Sequence, residues 1–326
     1  MSYMFQRCIS LTSIDISNFD TSNVNSMLSL FSGCTALKTL DLTKLNTYNI
    51  RDTSNMFLGC ISLTSLDFSN FETKWVQRMV SMFHNCQSLK SLDLSSFDTS
   101  SVNFMNHMFE GCSSLTNLKI PNFHTEAIYD TSSLFKDCIS LKSLDVSSFN
   151  TESIYDMSFM FQNCRSLEFL NLSNFNTKNA VSMQSMFENC TKLTSLIINN
   201  FDTNNVQYMS YMFSGCESLI SLDLSHFFTY GLTAMNNMFY NCHSLNSINL
   251  DGFLTLNVYD FSYIFYNCSS LKNLDLTSFS DGNCNQYEYI FEGCINMTLY
   301  INPNKCKKII NNIPEYVNPI FVNSLL

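Results

Sequence analysis

SLKSLDLSSFDTSSVNFMNHMFEGCSSL, residues 88–115, decides the fold, because almost the same line returns every 26 residues in both directions. Twelve of the fourteen cysteines lie on one arithmetic series: Cys8, Cys34, Cys60, Cys86, Cys112, Cys138, Cys164, Cys190, Cys216, Cys242, Cys268 and Cys294. No step contains an insertion or a deletion. Phe stands three residues before every cysteine of the series, from Phe5 to Phe291. Leu stands three after, from Leu11 to Leu271, and Met297 replaces it in the last unit. A fixed period of roughly 20 to 50 residues marks a repeat architecture. Constant length favours a solenoid, whose coils must match to stack.

The line divides into two halves. L-K-S-L-D-L contains the L-x-x-L-x-L signature of a leucine-rich-repeat strand. Its apolar-polar-apolar ending puts Leu92 and Leu94 on one face and Asp93 on the other. In the second half Val102, Met105, Met108 and Phe109 recur at spacings of three and four, which predicts a short helix that only packing holds. The residue before each cysteine is Gly, Asn or Asp in every unit except the first, where it is Arg7. These residues tolerate positive φ, so a left-handed cap is expected there. The expectation is an α/β, leucine-rich-repeat-type solenoid of about twelve 26-residue coils, each with one strand of a parallel sheet and one short helix. Residues 1–298 are read as one continuous array and residues 299–326 as a degenerate C-terminal cap or tail, which holds Pro303, Pro314 and Pro319.

Each ladder of identical residues carries a bland and a sharp reading. The cysteines from Cys34 to Cys268 are read as a structural core ladder of small buried residues. Equivalent side chains of stacked coils point the same way and sit roughly 5 to 10 Å apart, which suits a disulfide poorly. No C-x-x-C pair exists and the five histidines share no repeat position, so no metal site is expected. The Met and Phe stripes are read as core rather than a cofactor box, and no cofactor is expected. Each Thr of the Thr21-to-Thr255 column is expected to satisfy backbone groups in the turn after the strand.

The aspartates are different. Asp15, Asp41, Asp67, Asp93, Asp145, Asp223 and Asp275 sit between core-facing strand residues and so line the exposed sheet face. Like charges on adjacent strands repel, and something must offset them. Neighbouring Ser hydroxyls, solvent, a cation or a basic partner all remain open. Departures from the repeat at Lys119, Phe169, Ile197, His226 and Phe228 complete the candidate binding face, because arrays build binding surfaces by varying exposed positions on a constant frame. Trp75 and Tyr230 break their columns in the turn that follows.

Only 13% of residues are charged, against roughly 25% in ordinary soluble domains, so Ser, Thr and Asn must cover the surface. A net charge of −10 argues against nucleic acid, which needs clustered Lys and Arg. No apolar run reaches about 18 residues, so no membrane insertion of this segment is expected. MSYMFQRCIS lacks the basic and apolar regions of a signal peptide, which leaves a cytosolic chain and an internal fragment both open. No G-x-S-x-G, P-loop, H-E-x-x-H or G-x-G-x-x-G motif occurs, and the chain is not expected to be an enzyme.

The stretches SLKSLDLSSFDTSSVNFMNHMFEGCSSL (88–115) and SLTSIDISNFDTSNVNSMLSLFSGC (10–34) resemble the 26-residue repeat of BspA-like leucine-rich repeat surface proteins, over about residues 1 to 298. The resemblance implies a cell-surface or secreted location. It also implies adhesion or protein–protein contact, with a host or extracellular-matrix protein as the class of ligand, and no catalytic residues. The alternatives are an intracellular scaffold of the same fold, or a fragment of a larger surface protein with a purely structural role.

Overall fold

A computed structural model describes residues 1–323. Each 26-residue unit makes one turn of a solenoid, stacked in parallel on the next. The strand side carries β1 (Ser91–Asp93), β2 (Asn117–Lys119), β3 (Phe169–Asn171), β4 (Ser195–Ile197), β5 (Ser221–Asp223), β6 (Ser247–Asn249), β7 (Asn273–Leu276) and β8 (Thr298–Ile301). Register follows the repeat: Leu92 pairs with Leu118, Leu170 with Leu196 and Leu222 with Ile248. The central Leu of β1, β2, β3 and β5 is buried and its neighbours are exposed, as period two requires.

Two expectations are corrected. About eight turns carry a regular strand, not twelve. In the first turns Ile14, Leu40 and Leu66 line an open hollow of about 550 Å³, where the strand ladder does not close. The second correction is larger: V-x-x-M-x-x-M-F is not a helix in any turn. From Met27 to Gly33 every second N–H leaves the segment and donates to the next turn: Met27 to Asp52 O at 2.9 Å, Ser29 to Ser54 O at 2.9 Å, Phe31 to Met56 O at 2.9 Å and Gly33 to Leu58 O at 2.6 Å. Of the N–H groups between them, Leu30 and Ser32 close local turns onto the carbonyls of Met27 and Ser29, three residues back, and Leu28 donates to Ser26 Oγ at 3.2 Å. An α-helix would spend all of these donors internally, four residues back. The left-handed Ser29 (φ 54°), inside the segment, also forbids it, whereas the left-handed Gly33 (φ 75°) at its end would suit a helix cap. The fold is therefore a parallel-strand solenoid of strands and stacked turns with very little helix, rather than α/β. Consecutive three-residue turns present the apolar spacing of a helix, which is why the pattern misled.

The left-handed cap position is found throughout, Arg7 included (φ 59°). The other left-handed site, five residues before the cysteine, holds Ser, Asn, His, Phe or Tyr and left no comparable signal.

Side-chain ladders tie the turns together. Phe5 to Phe291 form a continuous stack, with ring centroids 5.3–6.1 Å apart and planes within 14°. Offset aromatic contacts of this kind add about 0.5–1.5 kcal/mol each beyond area burial. Each repeat cysteine from Cys34 to Cys294 is buried and unpaired. Its thiol donates to a Phe carbonyl of the preceding turn, as Cys164 does to Phe135 O at 3.2 Å. Burial pushes the Cys60, Cys112, Cys164, Cys242 and Cys294 thiols up to about 12. The buried threonines do satisfy backbone groups, but in the adjacent turn rather than their own: Thr73 Oγ1 accepts from Asp98 N and donates to Asp98 O.

β8 lies across the boundary expected between residues 298 and 299. It pairs in parallel with β7 and with β9 (Asn318–Phe321). The short helix α1 (Lys307–Ile310) precedes β9. Its first N–H groups, from Lys308 and Ile309, donate to Asp281 Oδ2 at 2.6 and 2.9 Å. Asp281 occupies the threonine column, so a repeat position has been turned into a cap that binds the tail. The last three residues of the expected tail lie outside the described residues.

Candidate interaction face

The exposed side of the strands is built from two outward positions per turn, five and seven residues after the cysteine. The aspartate column occupies the second, and all seven aspartates are exposed. Each bends back on its own chain. Asp15, Asp41, Asp67, Asp93, Asp145, Asp223 and Asp275 accept the backbone N–H two residues on, at 2.8–3.0 Å. At Asp41, Asp93 and Asp275 the Ser or Thr hydroxyl adds a second bond. This local turn ends the strand. It needs one acceptor oxygen and no charge, so Asn171 and Asn249 perform it equally. The bonds also hold the Asp15, Asp41, Asp145 and Asp223 carboxyls below their usual value. Asp93 falls to about 2, through the Ser95 hydroxyl and the Lys119 ammonium.

Lys119 fills the aspartate position where the residue two ahead is Pro121, which has no N–H to offer. Its Nζ donates to Asp93 Oδ2 at 2.9 Å. His226 lies in the turn beyond β5, where its Nε2 meets Ile198 O at 2.9 Å. Ser96 and Asn174 make the equivalent bond in other turns. Three shallow hollows lie along this face. Asp41 and Asp67 line the first, of about 550 Å³. Lys119 and Asp145 line the second, of about 180 Å³. Ile197, Asp223 and His226 converge on the third, of about 280 Å³, with Leu196, Ile198 and Ser221. Asp15, Asp93, Phe169, Phe228 and Asp275 line none of these three. Phe169 and Phe228 are each about half exposed, at 47% and 48%.

The opposite side, formed by the stacked turns, holds two clusters that the repeat reading did not single out. His107 Nδ1 lies 2.5 Å from Glu110, with Lys136 Nζ at 3.3 Å and His84 Nδ1 at 3.8 Å. Further along, Tyr240 stacks on Tyr266 at 4.9 Å, and Tyr263 on Tyr289 at 5.2 Å. Tyr recurring two and five residues before the cysteine in the last turns was the available signal. Among the described residues, no three His, Cys, Asp or Glu side chains converge in a way that would hold a metal ion, and no helix is long and apolar enough to cross a membrane.

The family described as Mycoplasma protein of unknown function, DUF285, matches the chain at residues 1–117, 31–140, 88–198 and 182–303. The chain belongs to the DUF285 family. The four matched windows overlap, and each is longer than four of the 26-residue repeats. No curated protein matches the chain. Among solved structures it is similar to a leucine-rich repeat protein from Bacteroides ovatus, at 19% identity over 99% of this chain and 88% of that one, with a TM-score of 0.47. A leucine rich cell surface protein from Faecalibacterium prausnitzii is similar at 15% identity over 90% and 76%, with a TM-score of 0.43. A leucine-rich repeat protein from Eubacterium ventriosum gives 17% identity over 82% and 80%, with a TM-score of 0.38.

Proposed function

We propose that this DUF285 chain is a non-enzymatic, surface-type interaction solenoid that binds a protein ligand on the exposed face of its strands. The observation that carries the reading is Ile197, a departure from the aspartate column that stacking does not explain, in a hollow it shares with Asp223 and His226. An apolar, an acidic and an aromatic polar side chain there make a surface that differs from its neighbours, on a frame that does not. The resemblance to BspA-like repeats supports a cell-surface setting and a host or matrix protein as ligand. The test is binding of the recombinant chain to a panel of extracellular-matrix and host-cell proteins. We expect saturable binding to at least one, weakened about tenfold or more by Ile197→Asp together with Asp223→Lys. A folded chain that binds nothing on the panel, or a double variant that binds as well as the parent, counts against this face.

A further inference from the structure

The turn side of the last units has a surface chemistry of its own. Tyr211, Tyr240, Tyr263, Tyr266 and Tyr289 lie on it, the first four half-buried and Tyr289 exposed. The last four rings are in contact, with Tyr263 bridging Tyr240 (6.4 Å), Tyr266 (5.7 Å) and Tyr289 (5.2 Å). Tyr211, Tyr240 and Tyr263 line a hollow of about 410 Å³ together with Glu188 and Glu217. Glu288, Tyr289 and Glu292 line a second hollow, of about 450 Å³.

Charge is distributed in the same sense. Between Lys192 and Lys305 the sequence has one basic side chain, Lys272, and nine carboxylates. Lys272 immediately precedes β7, on the strand side. The carboxylates beside the tyrosines are Glu188 and Glu217 at the first hollow, Glu288 and Glu292 at the second, and Asp260 near Tyr211. Partial desolvation, with Glu188 and Asp260 nearby, holds the Tyr211 phenol above its usual value. Partial desolvation, with Tyr289 and Glu288, does the same at Tyr263.

The first half of the chain shows what such rings take. Arg51 and Lys74 sit over Trp75, Arg78 over Phe104 and Lys136 over Phe159, at 4.6–5.7 Å. Among the described residues, no such cation covers any of the five tyrosines. Three of them also stand at the left-handed position, Tyr211 at 61°, Tyr263 at 60° and Tyr289 at 52°. A bulky side chain is disfavoured there, and Ser, Asn or His fills the site in most other turns.

We propose that this tyrosine face is a docking surface for a lysine- and arginine-bearing segment of a partner polypeptide, whose cations lie over the rings and pair with Glu188, Glu288 and Glu292. The surface is separate from the strand face, and either can fail without the other. Cation–ring contacts at exposed sites contribute enough that removing two rings weakens binding about tenfold.

The probe is a labelled nona-arginine peptide, with a Gly/Ser peptide of equal length as control, titrated by anisotropy into the full chain at several salt concentrations. We expect binding of nona-arginine only, weakening steeply with salt. Tyr263→Ala with Tyr266→Ala should lose about tenfold in affinity, and Asp20→Asn, an exposed carboxylate at the other end of the array, should lose none. If the tyrosine variant does not fold, Glu188→Gln with Glu288→Gln and Glu292→Gln keeps shape, and it should cut both affinity and salt dependence. Equal binding of the neutral peptide, undiminished binding by the folded tyrosine or glutamine variant, or loss of binding on Asp20→Asn overturns the proposal.

Discussion

Replacing Thr99 by Val removes one hydroxyl from a fully packed position and tests whether the turns are held together as described. Thr99 is 1% exposed. Its Oγ1 accepts from the His124 N–H at 2.7 Å and donates to the His124 carbonyl at 2.8 Å. One hydroxyl thus serves both backbone groups of a residue in the next turn. Valine has nearly the same shape but can serve neither. Each unserved buried backbone group costs about 1–3 kcal/mol, and the His124 side chain is exposed, so water reaches part of the site and the low end applies. That gives about 2 kcal/mol for the pair, reduced by up to about 1 kcal/mol because Val is the more apolar residue. Thr99→Ser keeps the hydroxyl and loses a methyl, for about 1 kcal/mol.

The discriminating readout is local. A stacked array need not unfold in one step, so a global midpoint alone can mislead. Amide hydrogen exchange at His124 reports the bond directly. We expect strong protection in the parent and in Thr99→Ser, and loss of it in Thr99→Val, with urea denaturation showing a net destabilisation of about 1–2 kcal/mol for the valine variant. The equivalent bonds of Thr73 with Asp98, at 2.8 and 2.9 Å, make Thr73→Val an internal repeat of the experiment. A valine variant as stable as the parent, with the His124 amide still protected, would refute the inter-turn role of the column.

Two further outcomes rest on groups at other points of the ladder. Thiols held up to about 12 by burial favour the folded state fully below their unfolded value near 9. That contribution disappears as pH rises from about 9 towards about 12, so stability should fall across this window and a thiol reagent at pH 8 should label only the exposed Cys8 rapidly in the native chain; broad native-state labelling would contradict it. Asp281→Ala removes both acceptor contacts from the first turn of α1, and we expect a loss of about 1–2 kcal/mol confined to the tail, seen as faster amide exchange at Lys308 and Ile309 while Phe135 in the middle of the array is unchanged.

What was legible in the sequence divides by the kind of physics involved. Burial and register were readable, because Leu92 and Leu94 alternate with Asp93 and the cysteines never leave their beat. The left-handed position before each cysteine was readable, because Gly and Asn pay least to occupy it. The backbone of the Met/Phe half was not. Apolar spacing reports which side chains face inward, and Met27, Leu30, Phe31 and Cys34 do so whether their N–H groups close a helix or reach to the next turn. Only the second left-handed site excludes the helix, and residues such as Ser81, His107 and Tyr211 conceal it. The aspartates show the converse. Their spacing placed them on the exposed face, yet their main partner is the backbone N–H two residues along, a contact too local for the repeat to advertise.

A departure from the repeat points to binding only where the fold leaves it unexplained, and this separates the candidate residues into two groups. Lys119 stands where Pro121 has removed the N–H that an aspartate would serve, and it compensates Asp93 instead. His226 makes the carbonyl contact that Ser96 makes in its own turn. Both are accounted for by the frame. Phe169 has no such account: it sits in an outward position otherwise held by Ser, Thr or Asn and remains 47% exposed. Ile197 gives up the strand-ending turn although Asn199 still has its N–H. The tyrosines at the left-handed site are costlier to hold there than the Asn237 between them. These positions carry chemistry that stacking does not require, so the first variants made to map binding belong at Phe169 and Ile197 on the strand side and at Tyr263 and Tyr289 on the other.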